Sequence, residues 1–173
     1  QSGGRIKPMD EFSRETILAL TGNRSFLNFE PTEMLISMMV NPQLWSQEKI
    51  IRISHDEVKK QLLLDLQRKY FSPAELMSNQ TFLQYAEGIS SGEGQVTSTG
   101  VNAVSGTRDP RAEEMKRVVD RMNRFQGLIA GKLWRVTPPM NQDENAEWWS
   151  LAEGMTQASP QSRAIYSMLK AYL

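Results

Sequence analysis

Residues 109–129 read Asp-Pro-Arg-Ala-Glu-Glu-Met-Lys-Arg-Val-Val-Asp-Arg-Met-Asn-Arg-Phe-Gln-Gly-Leu-Ile, and the order of polar and apolar residues in this stretch decides the fold class. Asp109 places a capping carboxylate ahead of Pro110, a residue suited to a first helical turn. Met115, Val118, Val119, Met122, Phe125 and Ile129 then recur on one helical face, which predicts the longest helix of the chain. The opposite face is charged. Glu113 with Arg117, Lys116 with Asp120, and Asp120 with Arg124 stand four residues apart, a spacing worth about 0.2–0.5 kcal/mol per pair.

Working outward, the same signals recur. Residues 9–21 read as a helix closed by Gly22-Asn23, both tolerant of the left-handed backbone that ends helices. After a loop from Asn23 to Glu30, Pro31 opens a second helix carrying Met34, Leu35, Met38 and Met39, stopped at Asn41-Pro42. Residues 49–54 carry Ile50, Ile51 and Ile53 and read as a short strand. Ser54 and Glu57 have the spacing of a reciprocal capping box, which predicts a helix to about Leu66. Ser72 and Glu75 repeat that device around Pro73, starting a helix that runs, with a break near Asn79, towards Glu87. Gly88, Gly92, Gly94, Gly100 and Gly106 among Ser and Thr make residues 88–107 a long surface loop. Beyond the central helix, residues 134–137 read as a second strand, paired with 49–54. Residues 147–153 read as a helix, and a last helix starts at Ser159-Pro160 with Ile165, Met168, Leu169 and Tyr172 on one stripe. The expected fold is mainly α: one irregular multi-helix domain over residues 1–173 with at most one small two-stranded β element.

Composition removes whole classes of function. The 173 residues hold 20 basic and 20 acidic side chains, so no long-range field favours a polyanion and nucleic acid is not an expected partner. Cysteine is absent, which removes disulfides, thiolate catalysis, iron-sulfur clusters and cysteine zinc sites. No stretch approaches the roughly 20 apolar residues of a membrane-spanning helix. The chain begins at Gln1-Ser2-Gly3-Gly4 with neither an initiator Met nor a signal peptide, which reads as a piece of a longer protein.

No catalytic or metal site stands out. His55 is the single histidine, which rules out a His-Glu-x-x-His zinc site and a bis-histidine haem site within one chain. In the first turn of a capped helix it is expected to be exposed, with haem ligation or proton transfer as the weaker reading. Of the ten methionines, Met34, Met38, Met39, Met115 and Met122 sit on apolar helix faces and are expected in the core rather than on a haem iron. Carboxylates gather at Asp10-Glu11-Glu15, Glu113-Glu114 and Asp143-Glu144, where a pair could serve a carboxylate-based hydrolase, yet nothing selects one pair. Two of these groups fall in first helical turns, where negative charge complements the helix dipole. Gly127 and Gly131 have the spacing of close helix packing or of helix termination. Trp148-Trp149 is the most suggestive aromatic feature. Adjacent rings point apart, so one is expected in the core and the other is a candidate for partner contact.

The opening run Gly3-Gly4-Arg5-Ile6-Lys7-Pro8-Met9-Asp10 resembles the start of the soluble segment in ResB/CcsA-type (System II) cytochrome c biogenesis proteins. Asn41-Pro42-x-x-Trp45, Ile50-Ile51-x-Ile53 and Tyr70-Phe71-Ser72-Pro73-Ala74-Glu75-Leu76 follow in similar order. The likeness covers residues 3–80 well and the remainder loosely. It implies a single soluble domain of a larger membrane protein, on the extracytoplasmic (periplasmic) side of the cytoplasmic membrane. It further implies a role in haem delivery to, and assembly of, c-type cytochromes, by interaction or positioning, with the membrane-embedded remainder and apocytochrome c as partners. Arg5, Lys7 and Trp45 within the matching motifs join Trp148 and Trp149 as candidate partner contacts. The family's tryptophan-rich haem-handling segment is not matched, because Trp149 is followed by Ser150 rather than Asp, and His55 matches no family histidine. Haem is therefore possible in the parent complex, with no haem ligand assigned in this chain. A purely structural spacer is the remaining alternative.

Overall fold

A computed structural model describes residues 8–90, 109–133, 135–137, 149, 150 and 153. They form α1 (Met9–Thr21), α2 (Pro31–Val40), α3 (Pro42–Gln47), β1 (Ile51–Arg52), α4 (Asp56–Gln61), β2 (Tyr70–Phe71), α5 (Pro73–Met77), α6 (Gln80–Ser90), α7 (Pro110–Ile129), β3 (Arg135–Thr137) and β4 (Trp149–Ser150). The mainly helical class is as expected. The chain makes two compact units, one from residues 1–44 and 124–173 and the other from residues 45–123.

In the first unit α1 packs on α2. Ile17 and Leu20 of α1 and Met34, Leu35 and Met38 of α2 are fully buried. The buried face of α1 also carries Ser13, Thr16 and Thr21. Their hydroxyls donate one turn back to the carbonyls of Met9, Phe12 and Ile17 at 2.7–2.8 Å, so no hydroxyl is buried without a partner. Gly22 ends α1 at φ 73°, as its sequence position predicts. The link to α2 is a tight turn in which Leu27 and Asn28 both have positive φ, closed by the Phe29 amide on the Phe26 carbonyl at 3.1 Å.

α7 stops in a Schellman turn. The Gly131 amide donates to Leu128 and the Lys132 amide to Gly127, with Gly131 at φ 67°. A Cβ on Gly127 would stand 3.0 Å from Leu133 Cγ, so Gly131 serves termination and Gly127 lets the turn after α7, rather than another helix, approach closely.

The β pairing departs from expectation. β3 pairs antiparallel with β4, and β1 with β2, rather than residues 134–137 with 49–54. On β1 the edge carrying residues 51 and 53 is taken: Ile51 faces Phe71, and the Ile53 amide donates to Lys69. Residues 149–150 are accordingly strand, not helix, and Glu153 is helical. A reciprocal capping box joins the two: the Ser150 amide donates to the Glu153 carboxylate at 2.8 Å and the Glu153 amide to Ser150 Oγ at 3.2 Å. The residues from Ser159 onward that were expected to form a last helix lie outside the described ones.

The second unit encloses Trp45, Ile50, Ile51, Ile53, Val58, Leu62, Phe71, Leu76, Phe82, Met115, Val118, Val119 and Met122, all at most 2% exposed. Ile50, just ahead of β1, and Ile51 within it are both fully buried. Ser72 caps α5 through its Oγ and the Glu75 amide at 3.1 Å. Asn79 opens α6 by accepting from the Phe82 amide at 3.0 Å, which accounts for the break read at that residue. Gly88 lies inside α6 rather than starting the loop, while residues 91–107 are outside the described ones. Asp109 caps α7 by accepting from the Arg111 amide at 2.9 Å, and that bond holds its carboxyl below the ordinary aspartate range. The capping box predicted at Ser54 does not form: α4 has His55 at its N-cap position without a side-chain cap, and it ends at Gln61, short of Leu66. Among the described residues no helix is long and apolar enough to cross a membrane.

Candidate functional site

The residues singled out from sequence are dispersed. Trp45 is 2% exposed and belongs to the core of the second unit. Trp149 is half-buried on β4, opposite Thr137. Arg5, Lys7 and Trp148 lie outside the described residues. His55 is half-buried rather than exposed, and its Nδ1 is buried without a hydrogen-bond partner. Among the described residues no three His, Asp or Glu side chains converge as a metal site. Of the acidic clusters, Asp10 is engaged by Arg14 at 2.9 Å and Glu113 by Arg117 at 3.1 Å, while Asp143 and Glu144 lie outside the described residues.

Two arrangements in the second unit were not legible from the motifs. The first is a buried clasp. Glu114 Oε1 accepts from the Ser54 amide at 3.0 Å, and Arg121 Nη1 donates to the Arg52 carbonyl at 2.6 Å. Glu114 and Arg121 are 3.6 Å apart, with side chains 8% and 15% exposed. Main-chain groups two residues apart on a strand point to the same edge, here the edge of β1 away from β2. The carboxylate thus stands where a neighbouring strand would offer a carbonyl, and the guanidinium where it would offer an amide. A pair seven residues apart on α7 closes an edge that would otherwise stay open. Burial lowers the pKa of Arg121, and the Glu114 charge opposes that shift. This contact also explains the missing capping box: the Ser54 amide that Glu57 would have reached already has an acceptor, and Glu57 pairs with Lys60 at 2.9 Å instead.

The second is the connection between α4 and β2. The Leu63 amide donates to Lys60 at 3.0 Å and the Leu64 amide to Lys59 at 2.8 Å, the two bonds of a Schellman turn with Leu63 at its left-handed position, φ 53°. Leu63 is 90% exposed and Leu66 42%. The loop is nevertheless pinned. Lys59, its side chain 5% exposed, donates to Asp56 and to the Leu66 carbonyl, both at 3.0 Å. Asn79 Nδ2 donates to the Leu62 carbonyl at 2.6 Å, and Asp65 accepts from the Gln67 amide at 2.9 Å. Arg68 bonds Glu75 and lies 4.6 Å over the Phe71 ring. The Lys59 contact holds the Asp56 carboxyl below its ordinary range, as Lys60 does for Glu57. An apolar side chain is thus presented to solvent on a rigid support.

No family model matches the chain. Over 152 residues it is 22% identical to Protein NrfI of Wolinella succinogenes, an alignment that covers 88% of this chain and 16% of that protein. The chain spans about a sixth of the length of the curated relative it matches. An alignment of 152 residues runs well past residue 80, where the motif likeness thins.

Proposed function

We propose that this chain is an extracytoplasmic interaction or positioning domain of a ResB/CcsA-type cytochrome c assembly protein, serving haem delivery and attachment without supplying the haem ligand. The single observation that carries this reading is the alignment with Protein NrfI, which supports a link to cytochrome c biogenesis in general. The ordered motifs from Gly3 to Leu76 support the narrower family. A pinned loop that displays an exposed leucine favours a role through contact.

Deleting residues 1–173 from the full reading frame, with the flanking segments rejoined, tests the role. The expected outcome is loss of covalently attached haem on c-type cytochromes, read by haem staining, while apocytochrome synthesis continues. Unchanged haem attachment would overturn the assembly role. Protease accessibility of an epitope at residue 100 in sealed spheroplasts tests the compartment. Protection from external protease would overturn the extracytoplasmic placement.

A further inference from the structure

We infer that Leu63 is an anchor residue taken into a neutral, apolar pocket on a protein partner. The identity of that partner, but not the anchor, rests on the function proposed above. The chain builds two Schellman turns with the same pair of amide-to-carbonyl bonds, one at the end of α7 and one at the end of α4. At the left-handed position the first has Gly131, the residue that this backbone favours, and the second has Leu63. A bulky side chain is strained there. Burial in the core could offset the strain, but Leu63 is 90% exposed, so the fold gains nothing from its side chain. Strained positions persist where their surroundings over-determine them, and such positions gather at sites of function. The surroundings do so here: the Leu62 and Leu66 carbonyls on either side of Leu63 are held by Asn79 and by the buried ammonium of Lys59. A loop fixed in advance loses little freedom on binding, which favours affinity. Leu27 is also left-handed, but at 55% exposure nearly half of its surface is covered.

The charges around the loop select the kind of partner. Lys59 pairs with Asp56, Lys60 with Glu57, and Arg68 with Asp65 and Glu75, and Lys69 brings the count to four basic and four acidic side chains. A loop without net charge gains no attraction to an anionic lipid surface, and one leucine with a half-covered second is too little apolar surface to hold a bilayer unaided. An exposed leucine within a rim of balanced charge fits a leucine-sized pocket on a protein, with complementary polar groups at its edge.

Leu63→Asn and Leu63→Gly separate a binding role from a folding role, because both residues accept the left-handed backbone. The expected unfolding midpoint is unchanged or raised by about 2–4 °C, whereas a lowered midpoint would overturn the inference by making Leu63 a residue of the fold. In the full-length protein in native membranes, co-purification of the remaining assembly subunits and apocytochrome c should fall on the order of 10- to 100-fold with Leu63→Asn and stay unchanged with Leu44→Asn. Association that survives Leu63→Asn overturns the anchor and leaves the proposed function standing. If the unaltered protein shows no association, the proposed function fails, and a photoreactive residue at position 63 decides the anchor. A protein adduct at 63 that a probe at 44 does not give sustains it, and its absence sinks it. Retention of the chain on phosphatidylcholine/phosphatidylglycerol vesicles that Leu63→Asn abolishes would overturn the protein pocket in favour of lipid.

Discussion

Removing the Glu114 carboxylate should damage the fold more than any surface charge does, by an amount set by the groups it leaves behind. Glu114→Ala takes the acceptor from the Ser54 amide and the counter-charge from Arg121, whose side chain is 15% exposed. Breaking a buried ion pair from one side costs about 3–5 kcal/mol. Ser54 is exposed and Arg121 keeps the Arg52 carbonyl, so water and that carbonyl recover part of the loss; the expected cost is about 2–3 kcal/mol. Glu114→Gln retains an oxygen for the Ser54 amide and gives up only the charge, for about 1 kcal/mol. Urea unfolding with an unchanged denaturant slope measures both values, and amide exchange at Ser54 reports the contact directly. Exchange there should quicken with Ala and hold with Gln. A Glu114→Ala variant within about 0.5 kcal/mol of the parent, the scatter of ordinary surface substitutions, would refute the clasp.

Other outcomes follow from single contacts. Ser72→Ala removes the one side-chain cap of α5 and should cost about 1 kcal/mol. Ser54→Ala, at the matching position of the box that does not form, should stay within about 0.5 kcal/mol in the same urea titration. Gly131→Ala forces a Cβ into the left-handed cap at φ 67° and should cost about 1 kcal/mol, read as a lower thermal midpoint. In the folded chain Asp56, Glu57, Asp109 and Glu153 are all held below their ordinary pKa, by Lys59, Lys60, the Arg111 amide and the Ser150 amide respectively. Each therefore contributes stability that is fully present above the unfolded value near pH 4 and is lost as pH falls through the lower folded value. Thermal midpoints should be flat from neutral pH to about pH 5 and then decline; a midpoint that rises on acidification would contradict these assignments.

The helices were legible where their signals are local. Asp109 and the stripe from Met115 to Phe125, Gly22 after α1, and Ser72 before α5 each act within a turn or two of their own position, so sequence and structure agree there. Ser54 and Ser150 mark the limit. Both precede a glutamate by three residues, and only Ser150 with Glu153 closes the box. The difference lies 60 residues along the chain, in a Glu114 carboxylate that reaches the Ser54 amide first. The strand pairing failed for a related reason. Tyr70-Phe71 is too short to show any alternation, so the partner of residues 51–52 could not be seen and a more distant strand was matched to them.

Trp45 came forward through the matching motifs, but a large indole is also among the best fillers of a core, and that is its use here at 2% exposure. Leucine is ordinarily the core residue, and Leu62-Leu63-Leu64 reads as the apolar end of a helix running to residue 66. What separates these three is backbone geometry. The helix stops at Gln61, Leu62 is fully buried, and Leu63, which follows in the left-handed conformation, is 90% exposed. The stop itself comes from tertiary contacts, Lys59 reaching forward to the Leu66 carbonyl and Asn79 reaching back to Leu62, neither of which leaves a trace in local propensity. The exposed leucine is thus a product of the same long-range bonds that defeated the local reading.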